Sequence, residues 1–147
     1  RRVGREAQLG EDLAIGFHFR LAKTQEEGIK AAAKHYEENL KMFGPLRLVR
    51  GLSDAQIEAM ADPQRAPSAG LPTLEEAVKK GAFLCAPPEL MIEQLMRLEE
   101  RYPGLERITV SHPVSTPHTV MLEQWEWFAA EVMPAFKKRV QEPVSSN

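Results

Sequence analysis

The clearest pattern in the chain is an almost continuous apolar and aromatic run over residues 13–21, LAIGFHFRL. Such a run is typical of a strand covered on both faces in a parallel sheet. Thr24 follows, and its hydroxyl together with the carboxylate of Glu27 forms the capping box of a helix. Apolar residues then recur at spacings of three and four up to Phe43, before Gly44 and a proline. The pattern predicts a strand over 13–21 followed directly by a helix.

A second alternation of strands and helices occupies the last part of the chain. Residues 82–85 form a short extended piece, and paired prolines at 87 and 88 pre-set the start of a helix over 88–102. A short strand over 107–111 and a last helix over 118–138 complete the pattern. Strands alternating with helices predict the α/β class with parallel strands and covering helices. With only two or three strands, we expect an unfinished core and at least one unpaired hydrophobic sheet edge.

Residues 44–81 have a different character, because four prolines and four glycines interrupt any long regular element. Two capping boxes, beginning at Ser53 and Thr73, predict short helices. The segment between them has few residues that pack, and a connection of this length inside a compact domain is typically functional. We interpret 44–81 as a lid-like insertion within a single domain spanning 1–147, and 141–147 as a frayed polar tail.

Composition narrows the class of protein further. The 147 residues are 43% apolar and 27% charged with a formal net charge of −2, as in a globular domain without a basic field for nucleic acid. No apolar run reaches the ~18 residues of a membrane span. The single cysteine, Cys85, excludes an internal disulfide and predicts a cytoplasmic location. The chain opens with Arg1 instead of Met, so it is expected to be a fragment of a longer product, a processed product, or a chain whose start has been removed.

Two histidines are the strongest candidates for chemistry. His112 ends the last strand, where parallel α/β folds place their ligands, and it is either a site residue or a loop hydrogen-bonder. His18 lies inside the first strand, either as a satisfied core residue or pointing into a ligand-binding lumen. No pair of histidines has the helical spacing of a zinc site, so no metal is predicted. Cys85 precedes a helix start that lowers a thiol pKa, but its apolar neighbours favour a buried, inert thiol.

The insertion contributes three arginines, Arg47, Arg50 and Arg65. They either belong to an ordinary solvated loop or supply an anion clamp, in which one arginine closes over the pocket. The planar guanidinium suits phosphate, sulfonate or carboxylate.

Four segments resemble the luciferase-like flavin-dependent monooxygenases. They are residues 21–27 (LAKTQEE), 86–95 (APPELMIEQL), 103–108 (PGLERI) and 122–136 (LEQWEWFAAEVMPAF), in the order in which that family has its counterparts. The resemblance covers nearly the whole chain, from about residue 13 to residue 136.

The resemblance implies the C-terminal part of a (β/α)₈ TIM barrel, a fold of ~250 residues when complete. Strand 13–21 would be the seventh barrel strand, strand 107–111 the eighth, and 44–81 a mobile lid that excludes water from a reactive flavin intermediate. Phe17, His18, Phe19, Ser111 and His112 become pocket-lining candidates by position, while the catalytic residues stay unknown.

The implied activity is an oxidoreductase reaction in which reduced flavin, FMN, and dioxygen oxidise a small organic substrate. The expected partners are that substrate, a flavin reductase, and a second copy or the missing barrel strands. Two alternatives stay open: a non-catalytic barrel remnant that assembles with another chain, and a deazaflavin-dependent oxidoreductase. In every case the fragment alone is expected to be inactive.

Overall fold

A computed structural model describes residues 4, 6, 8–46, 48, 52–62, 64, 65 and 69–140. Three strands and six α-helices follow each other in these parts of the chain, with a π-helical segment between the last two helices. Their bounds are β1 Ala14–Leu21, α1 Gln25–Phe43, α2 Asp54–Met60, α3 Leu74–Lys79, β2 Phe83–Ala86, α4 Pro88–Arg101, β3 Arg107–Ser111, α5 His118–Trp127, the π-helical segment Phe128–Val132, and α6 Met133–Val140. The predicted α/β class and the parallel strands are confirmed.

The three strands form one parallel sheet in the order β2-β1-β3, so the first strand of the chain is central. His18 is aligned with Phe83 of β2 on one side and with Ser111 of β3 on the other. Beyond His18, β1 continues for three residues that have a strand neighbour only on the β2 side. Among the described strands, β2 and β3 each have one neighbour, which leaves the unpaired sheet edges that the sequence predicts.

Alternate strand residues point to opposite sides of the sheet. Both sides carry apolar residues, and helices cover both. On one face Phe19, Leu21, Leu84 and Ala86 pack under α4 and the π-helical segment. On the other face Phe83 and Cys85 of β2 pack against α1 and α3. The core therefore lies in two layers, one on each side of the sheet.

The predicted helix starts agree with the local hydrogen bonds. The Thr24 hydroxyl accepts from the Glu27 amide at the start of α1. Complete capping boxes begin α2 at Ser53 and α3 at Thr73. Glycine at position 44 is required by close approach, because a Cβ there would lie 2.6 Å from the Met60 side chain of α2 and from the Leu40 carbonyl.

The segment predicted as a lid contributes in part to the core. Leu74 and Ala77 of α3 are buried against Phe83 and Cys85. Residues 74–79 are thus packed into the domain, and a mobile lid within 44–81 stays a prediction for the residues before them.

The last helix differs from the single continuous helix predicted over 118–138. The π-helical segment interrupts it, and the buried positions are Gln124, Phe128 and Val132. The spacing predicts an inward stripe made of Leu122, Trp125, Ala129, Val132 and Phe136. It is confirmed for Val132, which is fully buried, and for Trp125 and Phe136, which pack against the core. It is wrong for Leu122, which is 49% exposed, and for Ala129, which is exposed. Gln124 faces the core instead, and the i→i+5 pattern shifts the residues after it.

Candidate functional site

The register between β1 and β3 brings three predicted site residues together. The Ser111 hydroxyl lies 3.0 Å from Nδ1 of His18 and 3.4 Å from the Phe17 carbonyl, to which it donates. The His18 ring also contacts the ring of Phe83, with centroids 6.0 Å apart. Burial lowers the pKa of His18, and a hydrogen bond with the Ser111 backbone partly opposes this effect. At neutral pH the ring is therefore uncharged.

His112 lies against aromatic rings. Its centroid is 4.6 Å from that of Phe19 and 5.1 Å from that of Trp125, and these two rings lie 5.4 Å apart. The Nε2 atom of His112 is buried and has no hydrogen-bond partner among the described residues. Burial lowers the pKa of His112; a hydrogen bond with the Phe19 backbone raises it, while Arg20 and His18 lower it further. The ring is thus neutral and held mainly by packing.

The loop over residues 112–117 crosses the carboxyl end of β1 and closes this region. The Val114 amide donates to Oδ1 of Asn39, and the Ser115 hydroxyl lies 3.2 Å from Nδ1 of His35; both partners belong to α1. Under the loop lies a void of about 10 Å³. It is lined by Phe19, Arg20, Ala32, His35, His112, Pro113 and Thr116. This space admits about one water molecule.

Arg20 is a member of this region that the sequence prediction missed. It lines the small void, and its buried Nε has no hydrogen-bond partner among the described residues. The strand alternation does indicate its position, because Arg20 lies on the same face of β1 as His18 and alternates with the buried residues Phe19 and Leu21. We refer to His18, Arg20, Ser111 and His112 as the histidine cluster.

The other predicted residues lie elsewhere. Phe17 is half-buried and packs under the core on the α4 face. Arg65 is exposed in a turn after α2 and does not line the void under the loop. Arg47 and Arg50 lie outside the described residues. An anion clamp over the histidine cluster therefore stays a prediction.

A much larger apolar cavity, of about 890 Å³, lies beside β3 on the α4 face of the sheet. We call it the β3 cavity. It is lined by Leu95, Glu99, Leu105, Glu106, Arg107, Ile108, Val110, Trp125, Phe128, Ala129, Met133 and Phe136. The volume lies in the range of small-molecule sites. None of the predicted site residues in the described part of the chain lines it, because the prediction followed the carboxyl ends of the strands and this cavity lies along the free side of β3.

Cys85 is fully buried in β2, and burial raises its pKa to about 12. Its carbonyl accepts a hydrogen bond from Nε2 of Gln25, which ties the strand to the start of α1. The predicted burial of this thiol is confirmed, and its lack of reactivity stays a prediction.

The described part of the chain has neither a metal-ligand group nor a membrane-spanning helix. No group of three or more His, Cys, Asp or Glu side chains is arranged to hold a metal ion there. None of the described helices combines the length and the apolar character that crossing a bilayer demands.

Comparison with known proteins identifies no relative. No protein-family profile, no curated protein and no solved structure matches this chain. The resemblance to luciferase-like monooxygenases therefore stays a prediction from its four motifs, and the fold that is established is an α/β domain with a three-stranded parallel sheet.

Proposed function

We propose that these residues are the C-terminal part of a flavin-dependent monooxygenase with a single (β/α)₈ barrel domain, acting on a small organic substrate with reduced FMN and dioxygen. The observation that carries the proposal is the parallel pairing of β1 with β3. The resemblance assigns these two strands as the seventh and eighth of the barrel, which are neighbours in that fold. On its other side β1 pairs with β2, in the place that the sixth strand has in a complete barrel, and this second pairing does not support the proposal.

The strand ends supply a second argument. Enzymes of the barrel fold carry their active sites at the carboxyl ends of the strands. Here the histidine cluster lies at the carboxyl end of β3 and alongside β1. Its neutral imidazoles can accept a proton, and the Ser111 hydroxyl can donate or accept a hydrogen bond.

The described residues do not form a flavin site by themselves. The void at the histidine cluster has a volume of about 10 Å³, which is far below that of an isoalloxazine ring system. The β3 cavity is large, but its charged lining residues are Glu99, Glu106 and Arg107, a mixed set without a cluster of cations for a phosphate. In the proposed enzyme the flavin contacts therefore come from segments other than the described ones.

A binding titration of this chain and an activity assay of the intact gene product test this proposal. FMN added to the 147-residue chain is expected to show weak or no binding, and tight stoichiometric binding would contradict this. The coding sequence upstream of Arg1 should then be read, and the intact gene product purified. We expect that product to bind flavin and to consume oxygen with chemically reduced FMN. If it binds no flavin, the proposal fails; if it instead catalyses hydride transfer from reduced deazaflavin to an organic acceptor without consuming oxygen, the deazaflavin alternative replaces it.

A non-catalytic subunit that assembles with another chain is the second candidate, favoured by the β3 cavity beside an unpaired strand edge. Trp125, Met133 and Phe136 line this cavity, and Met133 is 40% exposed. Such a surface is typical of one that another polypeptide covers. Co-purification of the intact product with a fixed stoichiometry of a second chain, without flavin, would support this candidate over the enzyme.

A further inference from the structure

The carboxyl end of β1 is covered by a loop instead of a strand. β3 ends at Ser111, level with His18, so the backbone of β1 beyond that point has no strand neighbour on this side. Residues 112–117 take this place and are tied to α1 at two points, through Val114 and Ser115. Ser115 has a φ of 67°, a left-handed conformation that is disfavoured for residues with a side chain. The closed loop thus combines few polar contacts with a strained residue.

His112 is the residue that holds the first part of this loop in place. Its ring packs against both Phe19 and Trp125, which also contact each other, and its buried Nε2 has no hydrogen-bond partner among the described residues. A neutral imidazole carries only one N–H, so the buried Nε2 can stay unprotonated and then has no hydrogen that needs an acceptor. A protonated ring would carry a buried N–H donor without an acceptor and a charge without a partner.

The groups that face His112 make the cost of protonation larger. From β1 these are Arg20 and His18, and from α1 His35 lines the same void. From α5 the group packed on the ring is Trp125, which is neutral. No carboxylate is among the described residues that line this void. An added proton would therefore meet positive or neutral groups on each side.

We propose that residues 112–117 form a pH-released cover over the carboxyl end of β1, which opens when the His112 ring takes up a proton. Opening moves the imidazolium into water, frees Ser115 from its strained conformation, and exposes Arg20 and His18 at the edge where parallel α/β sheets bind their ligands. This inference does not depend on the flavin proposal.

The direction of the effect follows from the linkage between protonation and opening. The pKa of His112 is lowered from its ordinary value of 6.5 in the closed form and returns toward that value in the open form. The open form therefore binds the proton more tightly, and opening becomes more favourable as the pH falls below about 6.5. Because one proton is taken up, the opening equilibrium changes at most about tenfold per pH unit.

Hydrogen exchange separates opening of the loop from unfolding of the domain. The Val114 amide reports the loop, because it donates to Asn39, and the Leu21 amide reports the core, because it donates to buried Gln124. After correction for the intrinsic exchange rate, we expect the protection of Val114 to fall by up to tenfold per pH unit between pH 7 and pH 5. The Leu21 amide exchanges only when the domain unfolds, so its protection should stay higher than that of Val114 at every pH.

Variants identify the responsible ring. His112→Phe keeps an aromatic ring against Phe19 and Trp125, and this ring cannot be protonated. The pH dependence of the Val114 protection should therefore disappear. If this variant does not fold, His112→Gln and a direct NMR titration of the His112 ring in the unmodified chain provide the same test. His118→Gln is the matched control, because His118 is exposed at the start of α5, and it should leave the pH dependence unchanged.

Two results would overturn the proposal. One is a pH dependence that survives in His112→Phe or His112→Gln and disappears in His18→Gln or His35→Gln. The other is equal protection of Val114 and Leu21 at each pH, which would mean that the whole domain opens instead of the loop.

Discussion

The side-chain amide of Gln124 pairs with both backbone polar groups of Leu21. The Leu21 amide donates to Oε1 at 2.6 Å, and Nε2 donates to the Leu21 carbonyl at 3.2 Å. Gln124 is 1% exposed, so this contact lies inside the core. Because β3 ends before it reaches Leu21, the glutamine amide of α5 supplies the donor and the acceptor that a neighbouring strand would otherwise provide.

Replacing this amide should therefore be costly. Gln124→Ala leaves the Leu21 amide and carbonyl buried without partners, and we expect the free energy of unfolding to fall by about 2–4 kcal/mol. Urea denaturation at pH 8 measures the change. Glu123→Ala on the exposed side of the same helix is the control and should stay within about 0.5 kcal/mol of the unmodified chain. Equal effects of the two substitutions would show that the paired contact does not stabilise the fold.

Phe19 is the aromatic centre of the α4 face. It is 1% exposed and contacts the rings of His112, Trp125 and Phe128. Phe19→Ala should lower the free energy of unfolding by about 3–5 kcal/mol, because it removes a buried ring and leaves a cavity. Phe17→Ala, at a half-buried position of the same strand face, should cost clearly less in the same urea titration. A larger loss for Phe17 than for Phe19 would contradict the described core.

The stability of the chain should depend on pH through two histidines. The pKa values of His18 and His112 are both lowered in the folded chain, mainly by burial, from the ordinary value of 6.5. The unfolded chain therefore binds more protons, so the stabilisation is complete above about pH 6.5 and is lost as the pH falls toward the lowered values.

Urea midpoints measured from pH 8 to pH 5 test this dependence. The midpoint should fall over the acidic part of that range, and the double variant His18→Gln/His112→Phe should show a weaker fall. His118→Gln serves as the control and should retain the dependence of the unmodified chain. An unchanged dependence in the double variant would assign the effect to other groups.

The thiol of Cys85 should be unreactive in the folded chain. At pH 8 a thiol with a pKa of about 12 is ionised in only about 10⁻⁴ of molecules, and its side chain is fully buried. A thiol reagent such as dithionitrobenzoate should therefore label the chain only as fast as the fold opens, and labelling should accelerate with urea. Rapid labelling of the folded chain at the rate seen in high urea would rule out this burial.

The β3 cavity should bind an apolar dye. Ala129 lines the cavity, whereas Ala130 is the next exposed residue of the π-helical segment and does not line it. Ala129→Leu adds side-chain volume at the cavity wall and should reduce the fluorescence of bound anilinonaphthalene sulfonate. Ala130→Leu is the matched control and should leave it unchanged. If both variants respond equally, the dye binds elsewhere on the chain.

Much of the local structure was predictable because its signals lie within a few residues. The hydroxyls of Thr24, Ser53 and Thr73 accept from amides three residues further along, so the helix starts are visible in the sequence itself. Strand β1 was predicted within one residue of its start, from the apolar run over 13–21. The proximity of His18 and Ser111 followed only in part, since parallel strands bring their carboxyl ends to one edge but do not set the register.

The sequence by itself determined the α/β class, the positions of the helix starts and the location of the strands, because propensity, capping and periodicity act between near neighbours in the chain. The tertiary structure alone decided the order β2-β1-β3, the burial of Gln124 against Leu21, the place of Arg20 in the histidine cluster and the β3 cavity. The Gln124–Leu21 contact joins residues 103 positions apart. Contacts of that kind depend on how complete elements pack and on which backbone groups are left without a strand neighbour, and no local pattern encodes either.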